Sequence, residues 1–394
     1  MSPLPKSVVL PYDNDNRPQQ AYAVQVDAPF RRFGDRPLEM PRYLIKGILP
    51  LVGVALLAGQ FSSGKTFIGL DLSLSLIHGV EFLGRKTKPG GVLWLAAEGG
   101  GLIERNIIAA RKAKFTNAPG GPFPFLWEDS VPRGDTNAIL AELKAKIRAA
   151  KGECDEHHPN RPLRLVIIDT LAAYFALEDE NDNAKVGTFM ARLGEIAKEE
   201  HVLIVPICHM GKSAESGIRG ASAFGAGADA AIAVLADINQ ATGEVSECRT
   251  ISLAKTRDGH PGPLASFALE RIEIGTDEDG DPVMPGYVKF APVGADKNGR
   301  PPSRGVRDFI ESVSEAMIKY GADVQVFEDA PPRRAVRIDH VRDEFNRRHS
   351  VGDSVDPAGT KRKNYQRAHD KVLKDQMYAS RTVGVVEYIW PVQV

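Results

Sequence analysis

Cysteine is scarce in this sequence: Cys154, Cys208 and Cys248 are scattered, odd in number and in no metal-ligand spacing. That excludes a disulfide framework and a cysteine-based metal site, and it leads us to expect a reducing compartment. Long hydrophobic runs are missing too. No stretch approaches the roughly 18 apolar residues of a membrane span, and the Met1 to Lys6 start lacks the apolar core of a signal peptide. We therefore expect a cytoplasmic protein with no membrane partner. Nor is there an excess of charge of one sign. Lys and Arg number 50 against 51 Asp and Glu, a net charge of −1, so any contact with nucleic acid must come from local basic patches. No internal repeat is visible.

What is present begins with residues 59 to 66, Gly-Gln-Phe-Ser-Ser-Gly-Lys-Thr, a complete G-x-x-x-x-G-K-[ST] phosphate loop. Ahead of it the continuous apolar run Leu51 to Ala58 predicts a buried parallel strand, and behind it Phe67 to Ile77 predicts a buried helix. The residue types follow from the chemistry of a triphosphate, which needs many donors at close range. Gly59 and Gly64 let backbone N–H groups turn inward, Gln60, Phe61, Ser62 and Ser63 complete the loop, and the helix N-terminus adds partial positive charge. Lys65 is expected to reach the β- and γ-phosphates of ATP, and Thr66 to ligate Mg²⁺ through its hydroxyl.

The first forty-one residues carry seven prolines among Asp, Asn and Arg, a composition that suits an arm or strap (1–43). From 44 to 295, apolar runs at Gly91 to Ala97, Leu163 to Ile168, Val202 to Cys208, Ala230 to Ala236 and Arg249 to Ala254 predict strands. Helical patterns at Leu102 to Lys114, Asn137 to Lys151 and Lys185 to Glu200 alternate with them. Such alternation predicts a doubly wound, mainly parallel α/β sheet, with Phe267 to Ile274 and Gly286 to Phe290 as a hairpin on its edge. Polar, Gly- and Pro-rich 296–305 reads as a linker. Helical patterns at Val306 to Tyr320, Ile338 to Arg348 and Lys361 to Gln376, closing with a β-like Val383 to Val392, predict a small α+β, winged-helix-like domain over 306–394.

Four further features carry chemistry. The strand Leu165 to Ile168 ends in Asp169, where a carboxylate can hold Mg²⁺ and its water shell (a Walker B strand), although a capping aspartate would look the same. The strand ending at Ala97 delivers Glu98, a candidate general base for the attacking water or, alternatively, a helix N-cap. His209 follows the strand Val202 to Cys208, as a γ-phosphate sensor or a satisfied buried histidine. Lys255 and Arg257 alternate on a strand and so project from one face. They can act on a neighbouring subunit's phosphates in the manner of an arginine finger, or be an ordinary solvated pair.

As an ordered set, the phosphate loop, Glu98, Asp169, His209 and the Ala-Lys-x-Arg-x-Gly strand end resemble the RecA-like core of hexameric replicative helicases. The likeness is to RepA-type plasmid and phage enzymes, and more distantly to DnaB-type ones. Pro41 to Pro50, Trp94 to Glu98, Ile218 to Ala223 and Ala228-Asp229 carry it, over about Arg42 to Pro263. A histidine at 209, where DnaB-type proteins usually have glutamine, favours the RepA-like branch.

The resemblance implies a P-loop NTPase with ATP and Mg²⁺ held by Lys65, Thr66 and Asp169, and with Glu98 as base. It also implies His209 as sensor, and Arg257 with Lys255 reaching into the adjacent subunit of a hexameric ring. It sets Arg219, in the Gly211 to Gly227 loop, toward that site or toward the central channel. Single-stranded DNA and a primase or initiator are the partners implied, in DNA replication. A recombinase or clock-type RecA relative that unwinds nothing, and a loader-type assembly switch, remain the alternatives. Over Arg333 to Arg381 there are 13 Lys and Arg against 7 Asp and Glu, so Lys361 to Lys374 reads either as a DNA-contacting helix or as a solvated helix used in packing.

Overall fold

The computed structural model describes residues 40–116, 121–175, 183–209, 225, 227–238, 245–257, 261–294, 302–328, 332–352, 356–375 and 377–392. Contacts divide the chain into a unit 1–41 and a unit 42–394, and the fold below is that of the second.

It opens with a two-stranded hairpin, β1 (Tyr43–Ile45) and β2 (Leu49–Pro50). Then come β3 (Gly53–Gly59), α1 (Lys65–His78), β4 (Gly91–Ala96), α2 (Ile103–Lys114), β5 (Phe125–Glu128) and α3 (Thr136–His157). β6 (Leu163–Asp169), α4 (Leu171–Phe175), α5 (Asn183–Glu199), β7 (Leu203–His209), β8 (Ala230–Ile238) and β9 (Val245–Thr256) follow. β10 (Gly262–Arg271), the small hairpin β11 (Gly275–Thr276) and β12 (Pro282–Val283), and β13 (Gly286–Ala291) complete the core. Nine strands form one sheet in the order β13-β10-β9-β8-β3-β7-β6-β4-β5. The six from β8 to β5 are parallel, and β9, β10 and β13 are antiparallel additions at one side.

The continuous apolar runs in the sequence are explained by burial on both faces. On one face Val54, Leu56, Ala58, Val166, Ile168 and Ile204 pack under α3 and α5 with Ile139, Leu143 and Leu193. On the other, Ala55, Leu57, Leu165, Ile167 and Leu203 pack under α1 and α2 with Ile68, Leu72 and Ile107. Successive residues of one strand alternate between the two cores, as a pleated strand requires. The expected strands and helices are present with shifted ends. α1 begins two residues early because Lys65 and Thr66 form its first turn. β10 covers Gly262–Arg271 rather than Phe267 to Ile274. The edge hairpin of β10 with β13 is there. β5, only four residues long, was not expected: it is an edge strand among Pro and Gly, with Trp127 left exposed.

After 302 the chain forms α6 (Arg304–Tyr320), β14 (Ala322–Val324), β15 (Arg333–Arg337), α7 (Ile338–Arg348), α8 (Pro357–Lys374), β16 (Tyr378–Val383) and β17 (Val386–Pro391). The strands make an antiparallel sheet in the order β14-β15-β17-β16. Ser303 and Asp356 cap α6 and α8 through their side chains, and Pro357 sits in the first turn of α8. Phe309, Val313, Val341, Phe345, Tyr365 and Val372 fill a separate core. This segment is nevertheless joined to the large sheet. The Thr250 hydroxyl donates to the Asp375 carbonyl at 3.4 Å, and Val392 is part of the large core. The expected linker 296–305 lies mostly outside the described residues, and its last two residues belong to α6.

Candidate active site

The site lies at the carboxyl ends of the parallel strands, where β3 runs into the phosphate loop. Two glycines set the loop's path. A Cβ on Gly59 would lie 2.1 Å from the Val234 carbonyl oxygen of β8, and Gly64 holds φ 100° as it turns into α1. The need for glycine at 59 is thus set by the neighbouring strand rather than by phosphate access. Gln60 is buried, and its Oε1 accepts from Ala236 N–H at 2.9 Å, tying the loop to β8. Phe61 is 75 % exposed and stacks on the His209 ring at 5.7 Å. Ser62 has φ 58°. Ser63 is fully buried, and its hydroxyl has no hydrogen-bond partner among the described residues.

Lys65 is buried, and its ammonium donates to the Gly59 carbonyl at 3.1 Å and the Gln60 carbonyl at 2.8 Å. It also lies 3.2 Å from His209 Nδ1. An ammonium can only donate, so Nδ1 accepts and the imidazole proton sits on Nε2. Partial burial and the Lys65 charge both hold His209 below its usual range, which keeps the ring neutral. Burial lowers Lys65 to about 8, against the opposing pull of Asp169 and Glu98.

The Thr66 hydroxyl donates to Asp169 Oδ2 at 2.9 Å, so two hard oxygens from adjacent parts of the fold meet at one point. Mg²⁺ takes one or two protein oxygens and keeps most of its waters, and these residues fit it. Burial raises Asp169 to about 6. Glu98 adds to the rise, while the Thr66 hydrogen bond and Lys65 oppose it. Glu98 is exposed to water just beyond β4, and β4 lies beside β6. Its Oε1 accepts from the Thr170 hydroxyl at 3.1 Å, and its N–H donates to the Asp169 carbonyl at 3.1 Å. Thr170 as the orienting group was missed. The only sequence signal was a hydroxyl next to the strand-end carboxylate.

Lys65, Thr66, Asp169, Glu98 and His209 are therefore gathered into one site. Lys255 and Arg257 are not part of it. Gly59 is in register with Val234 of β8, and Val234 with Ile251 of β9. Lys255, four residues further along β9, is displaced by about 13 Å toward the opposite end of the parallel strands. There Lys255 Nζ donates to the Gly225 carbonyl at 2.7 Å, and burial together with the Arg257 charge lowers its pKa. Arg257 is 67 % exposed on its side chain, with Nε 2.9 Å from Asp229 Oδ1. Asp229 is itself pinned to β3, where Oδ2 accepts from Val54 N–H at 3.0 Å. Arg219 and most of the Gly211 to Gly227 loop lie outside the described residues.

A mainly parallel sheet with a phosphate loop after its central strand, and the Thr66 hydroxyl meeting Asp169 beside it, is the arrangement of a P-loop nucleotide site. Residues 20–215 match the family model described as an AAA domain, a likeness that supports a P-loop ATPase. No curated protein is significantly similar to the chain. None of the described helices is long and apolar enough to cross a membrane.

Proposed function

We propose that this chain is a ring-forming, DNA-dependent ATPase of the replicative-helicase type, which couples ATP hydrolysis to movement along single-stranded DNA. The observation that carries the reading is the separation of the two halves of the chemistry. One end of the sheet holds the phosphate loop, Asp169, Glu98 and His209. The other presents Lys255 and the exposed Arg257, too far along the strands to serve the same nucleotide. A head-to-tail contact between copies would join one protomer's cations to the next protomer's site, and repetition of such a contact closes a ring. Six protomers is the number that the likeness to hexameric helicases implies. The order helix, strand, strand, helix, helix, strand, strand after residue 302 supports a winged-helix C-terminal domain.

In this mechanism Lys65 exchanges its hold on the Gly59 and Gln60 carbonyls for the β- and γ-phosphate oxygens, and the Ser63 hydroxyl gains a partner. Thr66 and Asp169 would hold Mg²⁺, which when bound offsets phosphate charge. Glu98, oriented by Thr170, accepts a proton from the attacking water. His209 presents Nε2–H as a donor to the γ-phosphate, and the bond is lost with that group. The change passes along β7 into the Gly211 to Gly227 loop, whose Lys212 and Arg219 grip the strand. Arg257, with Lys255, stabilises the transferred charge on the adjacent protomer.

Three experiments test this. Wild type unwinds a forked duplex with ATP, and Lys65→Ala does not; failure of the wild type removes the helicase reading. Native mass with ATP and single-stranded DNA rises to a closed oligomer. In mixed rings Arg257→Ala and Lys65→Ala subunits together recover part of the activity that each lacks alone, and the absence of recovery in stable mixed rings removes the role across the interface.

A further inference from the structure

We propose that the outward face of α8 is a binding surface for duplex DNA that engages the phosphate backbone. The inference does not depend on the hydrolytic or ring assignment. Helix α8 is divided cleanly. Tyr365, Ala368 and Val372 face the core against Phe309 and Phe345. Arg362, Lys363, Gln366, Arg367, Asp370 and Lys374 are exposed and share the opposite face at helical spacing.

Four of these six are cations, and none of the four makes an ion pair or hydrogen bond with a described residue. The single carboxylate, Asp370, accepts from Gln366 Nε2 at 2.8 Å. Several cations elsewhere in the same segment are paired instead, although Arg307 and Arg334 are exposed without a described partner. Arg347 pairs with Glu344, Arg348 with Glu315, Lys319 with Glu344 and Lys371 with Asp375, while Lys361 donates to the Asn346 carbonyl. The chain as a whole has a net charge of −1, so the positive charge of this face is local. Concentrating unneutralised like charges on one rigid helix is unfavourable unless a polyanion compensates them.

The shape and chemistry of the face select among polyanions. From Arg362 to Lys374 the cations span about 18 Å of helix axis, a length that can lie in the major groove with phosphates on either side. Single-strand binding relies on exposed aromatic stacking platforms, and this face has none because Tyr365 points into the core. A protein interface needs an apolar or aromatic anchor, and an interfacial membrane helix needs an exposed apolar stripe. The apolar side of α8 is already buried. β16, which packs beside α8, leads to a hairpin tip where Val385 is 98 % exposed, giving the surface a projecting neighbour.

The test uses the full chain and a fluorescein-labelled 20-base-pair duplex, with anisotropy followed between 50 and 200 mM salt. With four phosphate contacts the logarithmic salt slope should be near −4. The double variant K363E/R367E should bind duplex at least ~10-fold more weakly and lose about two from that slope. K363R/R367K should bind like the wild type, while melting temperature and fluorescent-ATP binding stay unchanged in both. Single-stranded DNA of equal length should bind equally well to wild type and K363E/R367E. Unchanged duplex affinity in K363E/R367E overturns the proposal, and so does a wild type that ignores duplex. A loss confined to single strands, or polyglutamate displacing the duplex at equal charge, overturns it in favour of another partner.

Discussion

Lys65 and Lys363 carry the same ammonium and are held in opposite ways. Lys65 is buried, fixed by two carbonyls and a neutral imidazole, and lowered to about 8 by the loss of water. Lys363 stands in solvent beside Arg362 and Arg367, without a described partner. A buried cation acts through position: its bonds are few, directional and little screened. An exposed cluster acts through its summed field, which tolerates exchange of Lys for Arg and yields to salt. The nucleotide site should therefore be sensitive to single atoms, and the helix face to net charge.

The largest effect expected is from Lys65→Ala, which removes both phosphate binding and charge stabilisation. ATP turnover should fall by more than ~10³-fold in steady-state assays. Glu98→Gln should lower turnover by about 10²- to 10⁴-fold while fluorescent-ATP affinity is retained, and normal turnover in that variant removes the base assignment. Next comes a contrast in salt dependence. Raising salt from 50 to 200 mM should weaken duplex binding by about 10²-fold for four phosphate contacts and change nucleotide affinity far less. Equal salt dependence would erase the distinction drawn here.

The pH dependence of kcat/KM is a smaller effect with a definite sign. Asp169 must be ionised, which requires a pH above about 6, and Lys65 must be protonated, which requires a pH below about 8. The profile should rise through the first value and fall through the second, about tenfold per unit on each limb. Last, Ser63→Ala should act in opposite directions on two measurements. Removing a buried hydroxyl with no described partner stabilises the fold by about 1 kcal/mol, seen as a higher melting temperature, while nucleotide affinity falls. A lower melting temperature would show that Ser63 is a structural residue.

Much of the site could be read from the order of residues because each group stands next to a strand end. Gly59 to Thr66 and Asp169 are fixed by local spacing, and the apolar runs before them identify strands buried on both faces. Glu98 and His209 follow the same logic. Thr170 and Gln60 escaped because their partners, Glu98 and Ala236, are 72 and 176 residues away in sequence. β5 escaped because a four-residue edge strand has too few positions to display a period.

The sequence by itself determined that a phosphate loop sits between strand and helix with a strand-end carboxylate downstream, since a handful of adjacent residues carry that pattern. It also determined that Lys255 and Arg257 form a cationic pair. Only the tertiary structure decided where that pair stands, because the distance from Gly59 to Lys255 is set by the register of β3, β8 and β9, and register is a property of paired strands rather than of any one of them. For the same reason only the packed fold could show which cations of α8 are left without carboxylates.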